Sequence, residues 1–264
     1  MSTIRFEGVT KTFRRGDGTP LVVIGGIDFD VQDREFIAVV GPSGCGKTTL
    51  MRMVAGLEKP SDGRVLVGGE PVRGPGPDRA VVFQQFALFP WKTVRENIVF
   101  GMRSRGAGKA ERDAAVVHYL KLMKLEGTAE SYPHQLSGGM QQRVAIARSY
   151  ATNPGVLLMD EPFGALDAQT RTVMQEELVR LSRDNPRTVL FITHSVEEAI
   201  YLADRVVMLG RNPGRIRAVV EVAGLRQSEK WAGQHIDAVM ALPSFNRLRG
   251  DLWRLLREEM GDNR

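Results

Sequence analysis

Cysteine is almost missing from this chain: Cys45 is the single example among 264 residues. One thiol excludes an intramolecular disulfide framework and a zinc site built from several cysteines, and it fits a reducing compartment. No apolar stretch approaches the ~18 residues that a membrane-spanning helix needs, so the chain is not expected to cross a membrane by itself. Met1 to Phe13 carry charges and no apolar run, so no secretory leader is expected. A strong charge imbalance is lacking too. The 36 Lys and Arg against 31 Asp and Glu leave +5, which permits a nucleic-acid or anionic-membrane partner but demands neither. Residues 205–264 hold 11 basic and 7 acidic side chains, so +4 of that excess sits there, and an ordinary solvated surface accounts for it equally well.

What is present is an ordinary globular composition, 42% hydrophobic and 25% charged, which suffices to bury a sizeable core. At ~150 residues per domain the length allows one large or two small domains. Short apolar runs alternate with helical patterns, the signature of an α/β chain with a largely parallel sheet. The clearest strands are expected at Glu35 to Val40, Ala80 to Phe83, Val156 to Asp160, Thr188 to Thr193 and Arg205 to Leu209. Ile4, Phe6 and the Val65 to Val67 region read as antiparallel pieces.

Helices are expected between these runs. Gly46 to Ala55 places Leu50, Met53 and Val54 at core spacing, with Gly56 as C-cap. Thr93 with Glu96, and Ser195 with Glu198, have the spacing of capping boxes. From about Val94 to Asn153 the reading is helical throughout. The resulting division is an α/β core at 1–93 and 154–217, a helical insertion at 94–153, and a C-terminal helical extension at 218–264. Phe245, Leu248, Leu252, Leu255 and Leu256 give that extension its helical spacing.

The chemistry begins at Gly41-Pro42-Ser43-Gly44-Cys45-Gly46-Lys47-Thr48, with Thr49 following. The pattern G-x-x-x-x-G-K-[ST] sits after an expected strand and opens an expected helix, the context that defines a P-loop. Its glycines let backbone N–H groups curl around phosphate oxygens, and the helix N-terminus adds its positive end. Lys47 is expected on the β- and γ-phosphates and Thr48 on Mg²⁺. Cys45 reads as a small filler, since phosphoryl transfer from a P-loop needs no thiol. Val156 to Glu161 is an apolar strand ending in two acids. Asp160 suits a Mg²⁺ role there, and Glu161 is placed to polarise an attacking water.

A P-loop alone leaves kinases, GTPases and many ATPases open. Leu136-Ser137-Gly138-Gly139-Met140-Gln141-Gln142-Arg143 resembles the signature motif of ATP-binding cassette (ABC) proteins, and Ser137 lies 23 residues before Asp160. The motif is a second phosphate grip at a helix N-terminus. The resemblance implies a P-loop NTPase (RecA-like) α/β core with an antiparallel β piece, an inserted helical signature subdomain and a short C-terminal helical tail. It also implies a head-to-tail homodimer. Two ATP molecules, with Mg²⁺, would each be held between one P-loop and the other chain's Ser137, Gly138 and Gly139.

Other positions match the same family. Gln84 resembles the glutamine that senses Mg²⁺ and the γ-phosphate, Asp167 in Ala165-Leu166-Asp167 the aspartate facing the partner chain, and His194 the switch histidine on the γ-phosphate. Phe13 is placed like the aromatic that stacks on adenine. Met140 stands where many members have Gln, and Ser195 where Asp often follows the histidine.

Phe86-Ala87-Leu88-Phe89-Pro90-Trp91 follows Gln84 after one further glutamine, Gln85. In the family this loop receives a helix from a membrane permease, and aromatic anchors suit such a contact. Phe89 and Trp91 are expected at that interface, with Leu88 equally suited to the core. Leu88 to Trp91, together with Asn212-Pro213-Gly214-Arg215-Ile216, resembles the nitrate/sulfonate/taurine branch of importers. That branch implies a peripheral position on the cytoplasmic membrane face and an extracytoplasmic solute-binding protein as indirect partner. The alternative is a cassette ATPase acting on another membrane assembly or on nucleic acid and ribosomes. Only 90 residues separate Lys47 from Ser137, which leaves no room for a long coiled coil, so nucleic acid is not expected.

Overall fold

The structure is a computed structural model, and it describes residues 1–231 and 233–261. The last three positions of the expected C-terminal extension therefore lie outside the described residues. In chain order the elements are β1 (Ile4–Arg14), β2 (Pro20–Val31), β3 (Phe36–Val40), α1 (Lys47–Ala55), β4 (Asp62–Val67), β5 (Glu70–Pro71) and β6 (Arg79–Val82). There follow α2 (Val94–Ser104), α3 (Lys109–Leu122), α4 (Gly138–Ala151), β7 (Val156–Asp160), α5 (Ala168–Asp184), β8 (Thr188–Ile192) and α6 (Val196–Leu202). The chain ends through β9 (Arg205–Leu209), β10 (Ile216–Glu221), α7 (Ala223–Ser228), α8 (Ile236–Met240) and α9 (Pro243–Met260). Two compact units result, one of Met1–Gly76 with Pro186–Arg264, the other Pro77–Asn185.

The first unit carries two kinds of sheet. β1 pairs antiparallel with β2 and with β4, and β5 completes that layer beside β4. In the second layer β3 lies parallel between β8 and β9, with β10 antiparallel on β9. All residues of β3 and β8 are buried, which is why their sequences run apolar without alternation. β10 alternates half-buried and exposed positions, as a strand with one wet face does. The apolar spacing in the C-terminal extension does form a helix: Phe245, Leu252 and Leu256 of α9 are buried. Leu248 and Leu255 are half-buried.

In the second unit β6 and β7 run parallel, with Ala80 opposite Leu157 and Val82 opposite Met159. The helices α2 to α5 supply the rest of its core. Thr93 and Glu96 form the expected capping box at α2. The other expected box is only half made. Ser195 Oγ accepts from the Glu198 N–H at 3.1 Å, but the Glu198 carboxylate accepts from Thr193 Oγ at 2.6 Å instead of reaching back to Ser195. A threonine hydroxyl close by offers the buried carboxylate a shorter bond than the backbone does.

Candidate functional site

The residues singled out by sequence divide between the two units, and each unit holds its own part.

In the first unit, β3 ends directly in the phosphate-binding loop and α1 leads out of it. Gly44 and Gly46 take φ of 78° and 99°, backbone that side-chain-bearing residues adopt only under strain. A Cβ on Gly46 would lie 2.4 Å from Ile24 Cδ1, so the Ile24 side chain would have to move to admit one. Gly46 is the N-cap of α1 without a side-chain bond, and the N-terminus of a helix favours an anion. Lys47 is 5% exposed, and its Nζ donates to the carbonyls of Gly41 at 2.8 Å and Pro42 at 3.1 Å. The ammonium is thereby held over its own loop, as a phosphate ligand should be. Thr48 and Thr49 are half-buried on the first turn of α1.

Cys45 is buried, and burial pushes its thiol above the ordinary value against the opposing charge of Lys47. This is the environment of an inert filler. Gly214 braces the loop from outside: it donates to the Val23 carbonyl at 2.9 Å, and a Cβ there would sit 2.1 Å from the Cys45 carbonyl oxygen. The Asn212 to Ile216 run thus has a packing role that motif spacing did not reveal. The Pro-Gly pair at 213–214 was the available signal.

His194 is exposed directly after β8, between Thr193 and the N-cap Ser195. Phe13 lies on β1 with its ring 37% exposed and Lys11 Nζ 4.8 Å from the ring centroid. The ring is therefore no core residue.

In the second unit, β7 delivers Asp160 at its end, and Glu161 follows with φ of 46°. A non-glycine residue held there marks a position that its surroundings over-determine. Gln84 Nε2 lies 3.4 Å from Glu161 Oε2, so the structure brings these two residues together. Gly164 N–H donates to the Glu161 carbonyl at 3.1 Å and closes the turn.

The signature motif opens α4. Ser137 is the N-cap, its Oγ accepting from the Met140 N–H at 3.3 Å. A hydroxyl that accepts there still has its own O–H to donate to an anion. Gln141 Nε2 donates to the carbonyls of Pro133 at 3.0 Å and Leu136 at 3.2 Å, which pins the approach to the helix. Gly138 is exposed and Gly139 is buried. A Cβ on Gly139 would lie 2.4 Å from Thr170 Cγ2, so this glycine is demanded by packing on α5. Asp167 caps α5 by accepting from the Thr170 N–H at 3.0 Å, a bond that holds its carboxyl below the ordinary range. Signature and Asp167 turn thus meet at Thr170.

The loop after Gln84 is fixed by two residues that motif reading passed over. Asn97, fully buried on α2, bonds to Phe89, Lys92 and Thr93 backbone atoms. Arg148 on α4 donates to the Ala87 carbonyl at 2.8 Å. Trp91 is 70% exposed. Phe89 is half-buried, its ring 4.4 Å from that of Phe100 and 5.8 Å from that of Trp91.

As for a metal, the oxygen donors Thr48, Asp160 and Gln84 are hard ligands of the kind Mg²⁺ accepts alongside phosphate oxygens. Among the described residues no helix is long and apolar enough to cross a membrane.

A family model for the ABC transporter matches residues 24–164. The chain is 51% identical over 219 residues to an uncharacterized ABC transporter ATP-binding protein of Methanocaldococcus jannaschii, covering 83% of this chain and 82% of that one. It is 44% identical over 237 residues to the nitrate import ATP-binding protein NrtD of Synechocystis sp., covering 90% and 89% of the two chains. A solved dimeric ATP-binding cassette, in a post-hydrolysis state bound to ADP and Pi, superposes with a TM-score of 0.73 at 32% identity. That match covers 83% of this chain and 98% of the other.

Proposed function

This chain belongs to the ABC transporter family and is an ATPase of the P-loop class, and from that premise we propose that it powers an importer for a nitrate-, sulfonate- or taurine-like small anion or a related compound. The observation that supports the ATP-driven part of this reading is the possession of two phosphate grips by one chain. One is the loop of Gly41 to Thr48 with a buried Lys47, the other the Ser137-capped start of α4. A nucleotide that uses both needs two chains, each presenting the grip its mate lacks.

In the proposed cycle, ATP binds with its β- and γ-phosphates on Lys47 and on the N–H groups from Gly44 to Thr49, while Phe13 stacks on the adenine. Thr48, Asp160 and Gln84 are the residues that would hold Mg²⁺. When bound, the ion neutralises charge on the phosphate oxygens. Ser137, Gly138 and Gly139 of the second chain close on the same γ-phosphate, with Asp167 at that junction. Glu161 accepts a proton from the attacking water and His194 donates to the γ-phosphate. Hydrolysis removes the anion shared by the two chains, and the dimer opens. ATP is thus the ligand that biases a two-state switch towards closure.

The loop from Gln84 to Trp91 is the proposed contact with a separate membrane permease, which places the ATPase peripherally on the cytoplasmic face. A solute-binding protein outside would deliver cargo to that permease. The relative named for nitrate import supports the anion class. The direct test is to purify a Glu161→Gln form with Mg-ATP from gently solubilised cells of the source and identify the co-purifying proteins by mass spectrometry. A multi-spanning permease is the expected partner. Ribosomal or DNA-bound partners with no membrane protein would leave the ATPase standing and overturn the importer.

A further inference from the structure

The C-terminal helix touches the switch histidine's neighbours through one chain of bonds. His194 stands between two residues whose hydroxyls are each used twice. Thr193 Oγ accepts from the Ser195 N–H at 3.0 Å and donates to Glu198 at 2.6 Å. Ser195 Oγ accepts from the Glu198 N–H at 3.1 Å and donates to Glu197 Oε2 at 3.1 Å. The other oxygen of that carboxylate, Glu197 Oε1, accepts from the Trp253 indole N–H on α9 at 3.3 Å. The mesh around the histidine thus reaches out of α6 to a residue 56 positions further on.

The far end of α9 supports the phosphate loop as well. Glu259 pairs with Arg217 and accepts from the Arg211 N–H at 3.3 Å. A Cβ on Gly210 would lie 2.4 Å from Glu259 Oε2, and one on Gly41 would lie 2.4 Å from the Leu209 carbonyl. Gly41, Leu209–Gly210 and Glu259 therefore stack in turn. Phe245, Leu252 and Leu256 are the buried positions by which α9 packs, and Trp253 and Glu259 lie on the same helix.

We propose that Trp253 is a positioning residue for ATP hydrolysis: through Glu197 and Ser195 it sets the direction in which His194 meets the γ-phosphate. The inference rests on the proposed role of His194. A small loss of direction at a group that acts in the transition state lowers turnover without weakening ground-state binding. It also gives the C-terminal segment, outside the motifs, a lever on the rate. Any contact that pulls Trp253 off Glu197 would slow hydrolysis while ATP still binds.

The test uses the full chain and steady-state ATPase kinetics. Trp253→Phe keeps the aromatic body and removes the donor. One hydrogen bond to a partly exposed carboxylate converts to a fall in kcat of about three- to tenfold, with KM for ATP kept within about twofold. Glu197→Ala should give a similar fall, and the double variant should be no slower than Glu197→Ala alone, because both act through one path. Unchanged kcat in Trp253→Phe, or losses that multiply in the double variant, overturns the proposal. His194→Ala separates the two readings. If it removes turnover while Trp253→Phe does nothing, only the positioning role fails. If His194→Ala leaves turnover intact, the histidine's role fails and the positioning role with it. Should Trp253→Phe not fold, Glu197→Ala alone carries the same kcat-against-KM reading.

Discussion

Asn97 clasps Phe89 by both faces of its peptide backbone: Oδ1 accepts from the Phe89 N–H at 2.9 Å and Nδ2 donates to the Phe89 carbonyl at 3.2 Å. A fully buried amide on α2 thereby fixes the exposed loop that ends in Trp91. Its remaining bonds, to the Lys92 and Thr93 carbonyls, tie the same loop to the start of the helix.

Asn97→Ala should therefore act in two ways. It leaves the Phe89 N–H and several carbonyls without their partner, a cost of about 1–3 kcal/mol, readable as a lower denaturant midpoint. It should also loosen the loop and reduce capture of the permease in a pull-down. An unchanged midpoint would mean that water replaces the amide and that the clasp does not hold the loop.

Trp91→Ala should separate docking from folding. The side chain is 70% exposed, so its loss should change stability by no more than about 0.5 kcal/mol. Permease capture should fall clearly. Equal capture by the two forms would remove Trp91 from the interface and leave it a surface residue.

Gly139→Ala places a methyl group against Thr170 Cγ2, where the separation would be 2.4 Å. The expected cost is about 1–3 kcal/mol of overpacking. Thr170→Ser removes that methyl and should recover most of the loss, while the hydroxyl and the Asp167 cap survive. Thermal melts of the two single variants and the double variant check this. If Thr170→Ser brings no relief, the glycine is required for something other than packing on α5.

Cys45 offers a measurement of the loop in solution. Burial raises its thiol above the ordinary value, and only the thiolate attacks a maleimide. Labelling of the native protein should be slow near neutral pH and accelerate as the pH rises. It should become fast on unfolding. Rapid labelling at neutral pH would mean that the loop opens far more often than its packing implies.

The strands and the phosphate loop were readable because they follow from local rules. β3 and β8 are buried on both faces, so their apolar runs are continuous, and Gly56 ends α1 as a left-handed C-cap. The full lengths of β1 and β2 were not readable. Register shifts between Phe6 and Val9, and again at Thr10 and Thr12, break the alternation that would announce a long strand. β10 is short and no strand is expected there, and α7 and α8 fall inside the helical extension expected at 218–264 without bounds of their own, because each is short and α7 has no buried residue to set a period.

In the site, motif spacing gave Lys47, Ser137, Asp160 and Glu161 because their chemistry depends on neighbours in sequence. Arg148 and Trp253 act on segments distant in sequence, Asn97 acts through a side-chain clasp that has no motif, and Gly214 is marked only by its Pro-Gly pair. Phe89 was expected at an interface and is half-buried against Phe100. A loop that carries several aromatics seats some of them in its own support. Ser195 and Glu198 have the spacing of a capping box, and only the serine half is made, because Thr193 competes for the carboxylate.

In the proposed cycle one chain binds ATP on its phosphate loop, shares that ATP with a second chain, and hydrolyses it with Glu161. The most direct measurement is the mass of Glu161→Gln by light scattering, with and without Mg-ATP, alongside phosphate release. Lys47→Ala serves as the control that should not bind. The expected result is a mass that doubles with Mg-ATP, for Glu161→Gln but not for Lys47→Ala, with turnover reduced on the order of 10²-fold or more. A Glu161→Gln form that hydrolyses ATP at the unmodified rate would remove Glu161 from catalysis, and one that binds ATP and stays a single chain would overturn the shared site.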